Sequence, residues 1–260
     1  MNLALFDLDN TLLSGDTDTE WFAFLGAQGV LTEGEQEQNA DMDRRYRDGV
    51  ASALEYVRFY LRPYPRHDMA RLLAWRDAFV RERITPRILP RARELLASHR
   101  NDLTVIITAT NSFLTEPIAQ AFEVEHLIAT EPEIVDGRFT GDVVGEPCMR
   151  GGKVERLRAW LAERGASLSS FRESWFYSDS INDLPLLEQV THPVAVDPDA
   201  RLEAHARSRG WPSISLRAKP GAPALRVRRY YYDSNERLLE LSDSLHAAER
   251  FAYEMRLSRP

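Results

Sequence analysis

A chain of 260 residues, 43% apolar and 28% charged, has the make-up of a soluble globular protein with room for one large domain or a domain carrying an insertion. Its net charge of −7 argues against general nucleic-acid binding, no stretch approaches the roughly 18 apolar residues of a membrane span, and nothing after Met1 reads as a secretory signal. The single Cys148 has no internal disulfide partner, which fits a reducing, cytoplasmic setting.

Residues 2–6, NLALF, predict a short buried strand, followed by a loop holding Asp7, Asp9 and Asp16. From about Thr17 to Glu82 the signals are helical. Thr32 and Glu35 have capping-box spacing. Leu54, Val57, Tyr60 and Leu61 share an apolar face, as do Leu72, Leu73, Trp75, Phe79 and Val80. The rhythm changes after Pro86 and Pro90. Residues 91–99 predict a helix, LTVIITAT (103–110) a buried strand, 111–122 a helix and HLIAT (126–130) a strand. Residues 133–144 alternate about Asp136-Gly137, a hairpin signal. A helix over 153–165 ends at Gly165. SWFYSD (174–179) reads as strand then loop, DLPLLEQV (183–190) as helix, and 193–196 and 213–216 as strands.

Strands alternating with helices predict an α/β fold: a Rossmann-like parallel sheet with helices on both faces. Residues 1–16 and 86–216 would form this core, and 17–85 an inserted all-helical cap domain. Arg201 to Arg229 carries eight Lys and Arg against Glu203 alone. Residues 217–260 predict a basic linker plus a C-terminal helix, where Leu238, Leu241, Leu245, Ala248, Ala252 and Met255 recur at helical spacing. That face suits packing on the same chain or a homodimer contact.

Buried carboxylates repel one another and resist desolvation, so Asp7, Asp9 and Asp16 in one short loop call for a cation. Further polar residues also fall at strand ends or helix starts: Thr108 after VII, Lys153 after RGG, and Asp179, Asn182 and Asp183 in SDSINDLPLL. With the Asp7-x-Asp9-x-Thr11 motif, this set resembles the haloacid dehalogenase-like phosphohydrolases, over about residues 2 to 216. Within that family it looks like the phosphoserine phosphatase branch with a helical cap. The resemblance implies a Mg²⁺-dependent enzyme acting on a small phosphate ester, with no nucleic-acid or membrane partner. It makes Asp7 the nucleophile and Asp9 the general acid/base. Thr108, Lys153 and Asn182 would serve the phosphate, Asp16 the substrate, and Asp7, Asp9, Asp179 and Asp183 the metal.

The chemistry agrees. A phosphate monoester repels an anionic nucleophile, and Mg²⁺ neutralises both. Lys153 and the Thr108 hydroxyl can meet the equatorial oxygens, where transition-state charge lies. Asp9 can protonate the leaving alkoxide and then activate water. A carbon–halogen bond needs no such acid, so Asp9 favours a phosphate ester over a halide. It also disfavours a non-hydrolytic regulatory domain that merely accepts phosphate on Asp7.

The substrate is less determined. ITATNS (107–112) stands where phosphoserine phosphatases carry Ser-Gly-Gly, and Arg44, Arg45 and Arg47 are carboxylate-binding candidates by charge alone. The opening and DSINDLPLL look closer to bacterial relatives that hydrolyse histidinol phosphate, with phosphoserine the alternative. Asp16, Asp18, Glu20 and Trp21 would suit an amine and an imidazole.

Overall fold

The computed structural model describes residues 1–217, 224–232 and 238–247, the last two stretches by their backbone. A seven-stranded sheet runs in the order β4-β3-β2-β1-β5-β6-β7, with β1 Leu3–Phe6, β2 Leu103–Asn111, β3 His126–Val135, β4 Arg138–Val144, β5 Ser174–Ser178, β6 His192–Val196 and β7 Ser213–Ile214. All neighbours are parallel except β3 and β4.

The sheet is covered on both faces, which is why its strands read as continuous apolar runs. Ala4, Phe6, Ile106, Val194 and Val196 enter one core; Leu3, Leu5, Val105, Ile107 and Ala195 alternate into the other. All four side chains of β1 are fully buried, each Leu or Phe contributing roughly 1.5–3 kcal/mol. Asp7 is therefore fixed at the carboxyl end of the central strand.

Between β1 and β2 the chain is helical: α1 Thr17–Ala27, α2 Glu33–Arg47, α3 Ala53–Leu61, α4 Met69–Phe79 and α5 Pro90–Ser98. Capping boxes at Thr32/Glu35 and Ser52/Glu55 start α2 and α3. Trp21 is fully buried, with its ring centre 5.1 Å from Phe79 and 5.7 Å from Phe24. These residues belong to the same apolar cluster as Phe6 and Ile106, so residues 1–216 form one compact unit. The β3–β4 turn is the predicted one: Asp136 and Gly137 have φ of 49° and 73°, as a two-residue hairpin turn requires.

Past the hairpin come α6 Ser112–Ala121, α7 Gly151–Ala162, α8 Leu184–Leu187 and α9 Ala200–Arg209. The sequence reading missed α9. Asp199 caps it, Leu202 and Ala206 bury its inner face, and Gly210 ends it. Part of the basic run is thus the outer face of a helix, where Arg207 pairs with Glu203 and Arg209 with Glu188.

The C-terminal helix requires correction. Arg217–Pro260 form a second unit, in which β8 Ala224–Tyr232 pairs antiparallel with β9 Leu238–Ala247. Residues 239, 241, 245 and 247 are apolar at the period of two, and the Val- and Tyr-rich β8 offers a partner, so strand pairing overrides helical spacing. Ala248, Ala252 and Met255 lie outside the described residues, and the proposed dimer face has no helix to carry it over 238–247.

Candidate active site

The loop after β1 is tied down from several sides. The Asp7 N–H donates to the Tyr177 carbonyl at 2.9 Å, continuing the β1–β5 ladder. Asn10 turns the chain back with φ 58°, a conformation Asn tolerates better than most residues. Asp9 Oδ1 accepts from the Thr17 N–H at 2.8 Å and from the Thr17 hydroxyl; its Oδ2 accepts from the Thr110 hydroxyl at 2.7 Å. Asp7 and Asp9, two residues apart, therefore answer to different partners.

Lys153 enters from the first turn of α7. A Cβ on Gly152 would lie 2.0 Å from the Pro147 carbonyl oxygen, so only glycine permits this approach. Lys153 is 2% exposed and donates to Asp7 Oδ1 at 2.7 Å and Asp183 Oδ2 at 2.6 Å. Burial works against its charge, but Asp183 and Asp7 outweigh that and push its pKa up. Ser178 donates to the same Asp183 oxygen at 2.7 Å. Thr11 donates to Asp7 Oδ2 at 3.0 Å and accepts the Asp179 N–H at 3.1 Å, joining the ends of β1 and β5.

The cleft is short of positive charge. Burial pushes Asp7 up to about 6 despite Lys153, and Asp9 up to about 7 with help from Asp16. Burial, then Asp7 and Asp183, push Asp179 up to about 8. Among the described residues no three His, Cys, Asp or Glu side chains form a ready-made metal group. Mg²⁺ asks for less: one or two carboxylates, with waters and substrate oxygens completing its shell. Asp7 and Asp179, bridged through Thr11, fit that requirement. Asp9 and Asp183, also expected as ligands, line the same cleft and carry hydrogen bonds as Asp7 does: Asp9 from Thr17 and Thr110, Asp183 from Lys153 and Ser178.

A consequence is measurable. Carboxylates whose pKa is raised bind protons more tightly folded than unfolded. Their stabilisation is full below about pH 4 and is lost as pH climbs through 6 to 8. Metal-free protein should lose several degrees of Tm between pH 5 and pH 8, and millimolar MgCl₂ should restore more at pH 8 than at pH 5. A Tm indifferent to Mg²⁺ at both values would remove Asp7 and Asp179 as its site.

The predicted residues converge on one open cleft: Asp7, Asp9, Asp16, Thr108, Lys153, Asp179, Asn182 and Asp183 all line it. Thr108 is fully buried there and accepts from the Thr110 N–H at 3.3 Å. Asp16 also caps α1, accepting from the Thr19 N–H at 2.7 Å. Asp18 lines the cleft with Oδ1 enclosed and lacking a hydrogen-bond partner among the described residues. Trp21 and Glu20 do not: Trp21 is core, and Glu20 pairs with Arg87. Arg44, on the exterior with Asp41, and Arg45 do not line it either.

The sequence reading missed Tyr46 and Tyr56, which line the cleft from the cap side, and Asp43, which lines an adjoining pocket with Asp16 and both tyrosines. Tyr56 and Tyr60 donate to Asp43 Oδ1 at 3.2 and 2.8 Å. Asn39, Asp43 and Tyr46 recur at helical spacing along α2, a face that could have been read had the tyrosines of α3 been set against it. Cys148 is fully buried, and burial pushes its thiol up to about 12.

Residues 4–188 match the family model of haloacid dehalogenase-like hydrolases. A histidinol-phosphatase of Neisseria meningitidis is 42% identical over 220 residues, covering 83% of this chain and 99% of that protein. A phosphoserine phosphatase of Mycobacterium tuberculosis is 31% identical over 217 residues, covering 80% and 68%. A solved Bordetella pertussis protein of unknown function superposes with a TM-score of 0.80 at 45% identity, covering 83% and 99%. A phosphoserine phosphatase solved as a phospho-aspartyl intermediate analogue shares the fold, with a TM-score of 0.60 at 18% identity, covering 83% and 93%. By its sequence from β1 to α8 and by the aspartates, threonine and lysine gathered at its strand ends, the chain belongs to the haloacid dehalogenase-like hydrolases, as a phosphatase.

Proposed function

We propose that this phosphatase hydrolyses histidinol phosphate in the cytoplasm, through an aspartyl-phosphate on Asp7 and with Mg²⁺ as cofactor. The observation that carries the reading is Asp7, held between Lys153 and Thr11 and sharing its cleft with an acidic, aromatic wall. When bound by Asp7 and Asp179, Mg²⁺ supplies the positive charge that lets a carboxylate approach a dianion. Asp7 attacks phosphorus, and the ester oxygen leaves with a proton from Asp9. Asp9, now a carboxylate, takes a proton from water as that water attacks the aspartyl-phosphate, releasing inorganic phosphate and restoring Asp7. A pKa near 7 lets Asp9 serve both steps. Lys153 and Thr108 face the developing equatorial charge.

The substrate assignment rests on the wall. Asp16, Asp18 and Asp43 suit an amine, and the rings of Tyr46 and Tyr56 suit an imidazole. A carboxylate at that end would face like charges. Among the described residues no Lys or Arg lines the adjoining pocket bounded by Asp16, Asp43, Tyr46 and Tyr56; the cations Lys153 and Arg150 line the cleft that holds Asp7 and Thr108. The 42% identity to a histidinol-phosphatase points the same way. Histidinol phosphate should exceed phosphoserine in kcat/KM by roughly 30–150-fold, the effect of a mismatch of about 2–3 kcal/mol. Equal or better turnover of phosphoserine would overturn the assignment and leave the phosphatase chemistry intact.

A further inference from the structure

We propose that Arg150 is a positioning residue that couples binding of the substrate's phosphoryl group to the seating of the cap. The inference rests on the phosphatase reading, and not on the choice of ester. Its first support is backbone strain. Arg150 has φ 51° and ψ −123°, a region that residues bearing a Cβ rarely adopt and glycine enters freely. Glycines occupy the next two positions, yet arginine occupies the strained one. Such strain persists where the side chain is needed.

The side chain shows the need. Arg150 precedes α7, three residues before Lys153, and so belongs to the sheet end of the cleft. Its Nη2 donates to the Tyr46 carbonyl at 3.1 Å, in the last turn of α2, and its guanidinium carbon lies 4.6 Å from the Tyr46 ring centre. Cation–π contact and the negative end of a helix both favour a guanidinium there. One arginine thus ties the catalytic core to the helix that presents Asp43 and Tyr46.

The tie is unfinished. Arg150 Nε is enclosed and has no acceptor among the described residues. Arg150 also lines the cleft and makes no ion pair there with the described residues, whereas Lys153 is balanced by Asp7 and Asp183. An enclosed, cationic N–H beside a phosphatase centre fits an oxygen of a phosphate dianion. A guanidinium can hold that oxygen and the Tyr46 carbonyl together through different nitrogens; an ammonium lacks this fork. Phosphate binding would then tighten the grip on α2 and set the cap wall.

The test uses p-nitrophenyl phosphate, which lacks an amine, and inorganic phosphate binding measured by calorimetry with Mg²⁺ present. Arg150→Gly should keep or raise Tm, because the strain is released. Its KM and its Kd for phosphate should each rise roughly tenfold or more, with kcat changed less. Arg150→Lys should fail to restore either constant, and added methylguanidine should partly rescue Arg150→Gly. Unchanged KM and Kd in a folded Arg150→Gly protein would overturn the proposal. So would a fall of Tm, kcat and affinity together without rescue, which would make the residue merely structural. Both constants are independent of whether histidinol phosphate is the substrate, so failure here is distinguishable from failure of that assignment.

Discussion

An Asp7→Asn protein should fold, melt no lower than the parent at pH 7.5, and turn over no ester. The amide keeps the shape of the carboxylate but is a poor nucleophile, so kcat should fall roughly 10⁴-fold or more. Stability should survive because the Asp7 carboxylate is not at ease. Burial outweighs Lys153 and raises its pKa to about 6, so its charge at pH 7.5 is held against the surroundings. Lys153 keeps Asp183 as a partner at 2.6 Å. Mass spectrometry after incubation with an activated ester should find a phosphoryl adduct on the parent, or on an Asp9→Asn protein that loses it slowly, and none on Asp7→Asn. Turnover by Asp7→Asn at the parent rate would end its assignment as nucleophile.

Replacing Lys153 by methionine should damage both folding and chemistry. The ammonium is the shared partner of two buried carboxylates, and methionine removes its charge while keeping most of its bulk. Breaking such a buried arrangement from one side costs about 3–5 kcal/mol, because the remaining charges are stranded. The loss should be pH-dependent. Stranded carboxylates gain protons more readily in the folded state, so the variant should recover stability as pH falls towards 5. Denaturant melts of both proteins at pH 5 and pH 8 measure this. A deficit equal at both values would reflect lost packing and refute the electrostatic account.

What the sequence disclosed, and what it hid, follows from the range of the forces involved. Strands buried on both faces leave continuous apolar runs, and parallel order puts the residue after each run at the same sheet end. Asp7, Thr108 and Asp179 were legible for that reason. Lys153 was legible from the glycines before it. The cap wall was not, since α2 is polar nearly throughout and only its packing against α3 selects Asp43 and Tyr46. Trp21 and Glu20, near Asp16 in sequence, were drawn into the core and to Arg87 by long-range contacts. The 238–247 stretch satisfied two periods at once, and only a pairing partner decides between them.

The state of Cys148 makes the protein a convenient subject for optical work. It is the only cysteine in the sequence, it is fully enclosed, and burial pushes its thiol up to about 12, which suppresses the reactive thiolate at pH 7. Maleimide dyes and mild oxidants should pass the folded chain by. A single cysteine placed at Asp48, the exposed residue that ends α2 with ordinary helical φ, would then be labelled against a dark background, and its fluorescence would report in real time on the helix that Arg150 grips.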